Sequence, residues 1–186
     1  MKKSFKKKVI FGLIVCMCLF LLVFYVFTYK EVRYEFKSKK IELDSITVNI
    51  RTMPKIYYSS NMFGRIAVFS SPYMLDVYVG SEKQPLEGTV HISKLKFVNK
   101  LTKKVIFEDN TIVDKQIRRY SVTDYLTSNI EYYYKADFEF KWIDLEFEDI
   151  VVYLEFSLIQ GDKVTEYKTE ILLEKDYKAY RAMIRV

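Results

Sequence analysis

Carboxylates are the reactive side chains that this chain offers in number. The densest run is "DLEFEDIVVYLE", with Asp144, Glu146, Glu148 and Asp149 close together. On an extended strand alternate side chains share a face, so Asp144, Glu146 and Glu148 are expected to form one acidic patch. Such a patch suits a cation or a basic partner. Two acids about 5 to 9.5 Å apart in one cleft would allow glycoside hydrolysis. The plainer reading, a solvated face or a strand junction, is preferred, because no Asp-rich loop with a suitably placed glycine accompanies the run.

The remaining inventory excludes whole classes of chemistry. His91 is the one histidine, and both cysteines, Cys16 and Cys18, lie in the apolar N-terminal segment. That leaves no Cys-His nucleophile and no multi-His or Cys-rich metal site in the rest of the chain. His91 sits between Val90 and Ile92, which point inward on a strand, so it is expected to face solvent. Glycines at 12, 64, 80, 88 and 161 are scattered, and no phosphate-cradling loop forms from them. No catalytic, cofactor or metal residue is assigned, and an enzyme is not expected.

Contact chemistry is better supplied. Tyrosines occur as the doublet Tyr57-Tyr58 and the triplet Tyr132-Tyr133-Tyr134, and Arg118, Arg119 and Tyr120 form a basic-aromatic step. One member of each tyrosine group must point away from the core. Exposed tyrosine is good interface material, although it is also a good strand former. The candidate partner-binding residues are therefore Tyr57, Tyr58, Arg118, Arg119, Tyr133, Asp144, Glu146 and Glu148. Residues 94–119 carry a basic excess and residues 131–176 an acidic one. The expectation is that these segments lie side by side and neutralise each other, rather than at opposite ends as a steering dipole.

Charge also sets limits. The six lysines at positions 2, 3, 6, 7, 8 and 30 account for the whole formal excess of +6, so the rest of the chain is formally neutral. Nucleic-acid binding through overall charge is not expected.

The elements that must hold these residues are legible by period. Residues 9–29 are uncharged and almost wholly apolar, enough for roughly 31 Å of helix against a hydrocarbon core of about 30 Å. The exit is bulky and aromatic, with no small-residue cleavage site. A retained single-pass transmembrane helix is expected, ahead of a cleaved signal or a buried helix. The lysine-rich residues 1–8 would stay cytoplasmic and the remainder extracytoplasmic, periplasmic or at the cell surface. Disulfide-free composition suits a bacterial envelope.

Beyond a stalk or first strand at 30–42 the β domain is expected over residues 43–186, with alternation dominating from residue 32 to about 174. In "EYYYKADFEFKW" Tyr132, Tyr134, Ala136, Phe138, Phe140 and Trp142 share one face. "DIVVYLEFSLIQ" and "KVTEYKTEILLE" follow, joined at Gly161-Asp162 as a hairpin, and the three runs read as a contiguous antiparallel set. "GTVHISKLKFVN" slips phase at Ser93-Lys94, the sign of a β-bulge. "KKVIFED" reads as its hairpin partner, and the last dozen residues as a short helix or a final strand. The expected fold is an antiparallel β-sandwich, immunoglobulin-like in topology, with a closed β-barrel as the alternative.

The functional expectation is a membrane-anchored β domain, held by the lipid bilayer, that binds another protein at the envelope as an accessory subunit or a toxin-neutralising factor. The alternatives are a β-barrel sensor of a small ligand, its cavity lined by Arg118, Arg119 and Tyr120, and a carboxylate-dependent glycan enzyme. Composition sets no oligomeric state.

Overall fold

Alternate-residue burial sets the architecture. The computed structural model describes residues 10–21, 28–61, 64–82, 84–110, 113–123 and 130–183. One helix, α1, covers residues 10–21. The strands are β1 (Thr28–Phe36), β2 (Lys39–Leu43), β3 (Ile46–Asn61), β4 (Gly64–Ser81), β5 (Thr89–Asn99) and β6 (Val105–Asp109). They continue with β7 (Val113–Gln116), β8 (Arg118–Thr123), β9 (Ile130–Ile143), β10 (Ile150–Gln160), β11 (Lys163–Leu173) and β12 (Lys175–Met183). The chain divides into two units. One comprises residues up to Arg33, Ile56–Phe69 and Tyr177 onward; the other comprises Tyr34–Lys55 and Ser70–Asp176.

The larger unit has two sheets. In one, β2, β3, β4, β9 and β8 lie in that order; in the other, β11, β10, β5 and β6 do, with β7 also on β5. The inward residues of both sheets form one core: Val48 and Ile50 of β3, Leu75, Val77 and Val79 of β4, Phe97 of β5, Val152 and Leu154 of β10, and Leu173 of β11, all fully buried. Each such side chain contributes about 1.5 to 3 kcal/mol relative to exposure. Tyr73 is also inside, and its hydroxyl donates to the Tyr34 carbonyl at 2.8 Å. Burial, with a smaller push from Glu35, raises its pKa to about 12.

Several local readings are met. β10 and β11 pair from Ile150↔Leu173 to Gln160↔Lys163, leaving Gly161 and Asp162 as the two-residue turn, with Gly161 at φ 60°. Against β10, Glu155↔Lys94 is followed by Phe156↔Ile92, so Ser93 is the extra residue of the bulge. β6 pairs back on β5.

The anchor is corrected. Helix α1 spans 12 residues, about 18 Å, and among the described residues no helix is long and apolar enough to cross a membrane. By Thr28 the chain is already in strand β1. Tyr29, the last residue of the expected span, donates a hydrogen bond to Glu31 at 3.1 Å. The transmembrane span at 9–29, the membrane-anchored and envelope placement, and the orientation built on them therefore do not stand. Residues 1–9 and 22–27 lie outside the described residues. The apolar side chains of α1, among them Phe11, Leu13, Leu19 and Phe20, are exposed.

The fold class as expected, an anchor helix followed by an antiparallel immunoglobulin-like sandwich or a closed barrel, is overturned with it. In the smaller unit β1 runs parallel to β4, from Lys30↔Ile66 to Arg33↔Phe69, so the strand set is not wholly antiparallel. No closed barrel forms among the described residues, because β2 and β8 end their sheet unpaired on one side. What stands is a β-sheet domain. β9 is not contiguous with β10 and β11 but pairs with β4 and β8 in the other sheet. Alternation cannot show this, because it says which face a residue takes and not which strand lies beside it. The C-terminal run is strand β12, not a helix.

Trp142 departs from its expected inward face. Opposite β4, Tyr73↔Ile143 is followed by Leu75↔Phe140, one residue too many on β9. Trp142 absorbs the surplus at φ 52°; its ring is 53% exposed, while Ile143 takes the buried place at 7%. Lys55 Nζ lies 5.8 Å from the exposed ring.

Gly80 is required by packing. A Cβ there would lie 2.0 Å from the Tyr134 carbonyl oxygen and 2.7 Å from Lys135 Cα, and both are backbone atoms of the paired strand. Gly80→Ala is therefore expected to destabilise the larger unit by about 1 to 3 kcal/mol, read as a lowered urea midpoint. An unchanged midpoint would show that β9 can retreat at no cost.

Candidate functional site

The outward residues of the β2-β3-β4-β9-β8 sheet are placed by the same alternation that buries their neighbours. Leu75, Val77 and Val79 point inward, which sends Asp76, Tyr78 and Gly80 outward; on β9, Ala136 and Phe138 send Lys135 and Asp137 outward. On β8, Arg118 faces Lys135 and Tyr120 faces Tyr133. The missing side chain at Gly80 opens a groove of about 420 Å³, whose walls include Asn49, Arg51, Tyr78, Tyr120, Tyr133 and Lys135.

Lys135 organises the groove. Its Nζ lies 4.4 Å from the centre of the Tyr78 ring and 4.8 Å from that of Tyr120, within cation–π range, and 3.2 Å from Asp137 Oδ1. Tyr78 donates to Asp76 at 3.1 Å, and Tyr133 donates to Glu131. Burial, then the neighbouring Asp76, pushes the Tyr78 hydroxyl above its ordinary pKa. Burial and Asp137 do the same for Tyr120, and the Glu131 hydrogen bond does so for Tyr133. All three stay neutral donors at physiological pH.

Two features of the walls are unsatisfied. Asn49 Oδ1 is buried and has no hydrogen-bond partner among the described residues, a state that costs about 1 to 3 kcal/mol. Arg51 makes no ion pair among the described residues, although it lies near enough to Tyr78 to pull its pKa down against the main trend. Arg119 is on the other face of β8, its guanidinium 3.8 Å from the centre of the Tyr132 ring.

The acidic run has a different role. Asp144, Glu146 and Glu148 lie on the connection between β9 and β10, not on a strand, and each is tied to a neighbour. Ser71 Oγ donates to Asp144 at 3.1 Å, Lys104 pairs with Glu146 at 3.4 Å, and Lys175 pairs with Glu148 at 2.6 Å. Asp149 accepts the backbone N–H of Lys175 at 3.2 Å. That bond, with Lys100 assisting against the opposing push of burial, holds its carboxyl below the usual range. The basic and acidic segments do lie side by side, through Lys100–Asp149 and Lys104–Glu146. His91 is on β5, hydrogen-bonded to Asp114 Oδ1 at 2.6 Å. Among the described residues no cluster of His, Cys, Asp or Glu is arranged to hold a metal ion.

Tyr57 and Tyr58 belong to the smaller unit, where Tyr58 lines an open cavity of about 930 Å³ with Tyr29, Glu31, Arg33, Arg65 and Tyr180. Its floor is Glu31, 3% exposed. Glu31 accepts from Tyr180 at 2.8 Å, from Tyr29, and from Arg33 Nε. Burial pushes this carboxyl up, but the hydrogen bonds from Tyr180, Arg33 and Tyr29 together outweigh it and leave the pKa lowered. Arg33 also stacks over Phe69 at 4.1 Å.

Sequence reading therefore named Tyr133 in the groove, Arg118 opposite Lys135 on the neighbouring strand and Tyr58 at the cavity, but missed Tyr78, Lys135, Arg51, Asn49 and the Glu31 cluster. An outward tyrosine two residues before an outward glycine, Tyr78 and Gly80, was the available signal for the groove. Comparison with protein-family models, with curated proteins and with solved structures finds no match.

Glu31 provides a pH test. A carboxylate whose folded pKa is depressed contributes stability above its unfolded value of about 4.3, and that stability is lost as pH falls through the folded value. The protection of the β1 amides, measured as exchange relative to the intrinsic rate at each pH, is expected to fall on acidification through this range. Glu31→Gln should expose β1 by about 2 kcal/mol at neutral pH and flatten the acid dependence. Identical pH profiles for the two chains would remove Glu31 from this role.

Proposed function

We propose that this chain is a binding module that takes a protein partner on the outer face of the β2-β3-β4-β9-β8 sheet. One observation carries the reading: the Tyr78–Tyr120–Tyr133 groove is open, and among the described residues its walls keep a buried acceptor, Asn49 Oδ1, without a donor and Arg51 without an ion pair. Within a folded chain the buried acceptor is a cost that a partner's donor offsets, and the exposed Arg51 offers a charge that a partner's carboxylate complements. Tyrosine and arginine are the side chains that carry interface energy out of proportion to their number. The groups that general acid–base hydrolysis would need, Asp144, Glu146 and Glu148, are spent on Ser71, Lys104 and Lys175. The sensor alternative needs a cavity inside a closed barrel, whereas the interior here is filled by apolar side chains.

A photoreactive benzophenone residue at Val122, 54% exposed on the groove side, can be compared with one at Val164, 57% exposed on β11 of the other sheet. In the cells that make the protein, Val122 is expected to give a discrete protein adduct and Val164 none. Arg51→Glu should reduce that adduct about tenfold. Equal labelling from both positions, or none from Val122, would dispose of the reading.

A further inference from the structure

We propose that β8 receives an extended segment of the partner as an added strand, with acidic residues at the Arg118 end and apolar or aromatic residues at the Val122 end. This rests on the partner-binding reading and specifies how the partner is held.

The backbone comes first. Among the described residues β8 pairs with β9 alone, so its second row of N–H and C=O groups has no ladder partner. Arg118 through Val122 are all exposed. An open edge of this kind is the template for strand addition, where main-chain hydrogen bonds supply affinity and alternate side-chain pockets supply specificity.

Those alternate pockets are present. On the outer face lies the groove of about 420 Å³ that includes Tyr120 and Val122. On the opposite face of the same strand lies a second groove of about 470 Å³, lined by Pro85, Leu86, Ile117, Arg119 and Tyr134 among others. Successive side chains of an added strand point to opposite faces, so they would enter the two grooves in turn. A partner that used side chains alone would need only one of them.

Charge sets the composition and the polarity of the segment. Arg118 has no ion pair among the described residues, and Arg119 has only the Tyr132 ring. At the other end Val122 stands opposite Glu131, whose carboxylate already accepts from Tyr133; an acid placed there would be repelled. The carboxylates therefore belong beside Arg118. A second copy of this chain is disfavoured as the occupant, because its β8 holds no carboxylate and, added antiparallel about Tyr120, would set Val122 and not an acid beside Arg118.

The test uses the full chain and a synthetic probe, acetyl-Thr-Val-Tyr-Val-Glu-Val-Glu-amide, which places its acids beside Arg118 when it adds antiparallel. Two control peptides accompany it, one with lysine for both glutamates and one N-methylated at alternate residues. The acidic peptide is expected to bind saturably and to slow hydrogen exchange at residues 118–123. The lysine peptide and Arg118→Glu should each weaken binding about tenfold, and the N-methylated peptide should fail to protect β8. Equal binding by the N-methylated peptide, or protection confined to β3 and β4, would overturn strand addition and leave side-chain docking in the groove. Failure of the acidic peptide to bind, with Val122 adducts still forming, would also overturn it. Loss of the Val122 adducts themselves is the separate failure of the partner reading.

Discussion

In the larger unit, every exposed group on the groove face is held in place by what its sheet buries on the other face. Leu75, Val77 and Val79 of β4 and Ala136 and Phe138 of β9 are locked against β5 and β10 in one core. In a pleated strand an inward residue leaves its neighbour no choice but outward. A slip of one residue in β4 would exchange Tyr78 for Val77 and Gly80 for Val79, costing burial and groove at once. The apolar core is thus the constraint on which the candidate site depends, although no core residue lines it.

The groove shows how a packing requirement becomes a surface feature. β9 runs so close to β4 that a side chain at Gly80 would collide with its backbone. The glycine that permits this approach also removes the atoms that would have filled the space between Arg51 and Lys135. Lys135 then settles between the rings of Tyr78 and Tyr120, balanced by Asp137. Its charge is spent internally, whereas Arg51 on the same wall has no ion pair among the described residues. That contrast, more than the number of tyrosines, separates a recognising surface from a merely polar one.

The smaller unit uses buried polarity differently. Glu31 is nearly inaccessible, but three donors compensate it, so it stays ionised and ties β1 to β12 through Tyr180. Removing any one donor would expose the cost of a buried charge, which is why such clusters hold their strands in register more strictly than apolar contacts do. The acids of the β9–β10 connection contrast with this. They are solvated, paired one by one, and serve to fasten loops.

Much of the strand pattern was legible. The turn at Gly161-Asp162, the bulge at Ser93 and the inward Val90 and Ile92 of β5 all follow from local alternation and turn chemistry, which depend on neighbours in the chain. The failures have a common origin. Apolar length alone suggested a transmembrane helix over 9–29, whereas the chain is in a strand by Thr28, with Tyr29 committed to Glu31. Alternation alone kept Trp142 inside, whereas the surplus residue of β9 turned it out. The sequence by itself determined which residues could be inward on a β-strand, because the pleat is a property of consecutive peptides. Only the tertiary structure decided that β9 lies beside β4, that Arg51 and Lys135 share a groove, and that Glu31 finds Tyr180. Each of these joins residues far apart in the chain, and their encounter is set by the burial of the whole core.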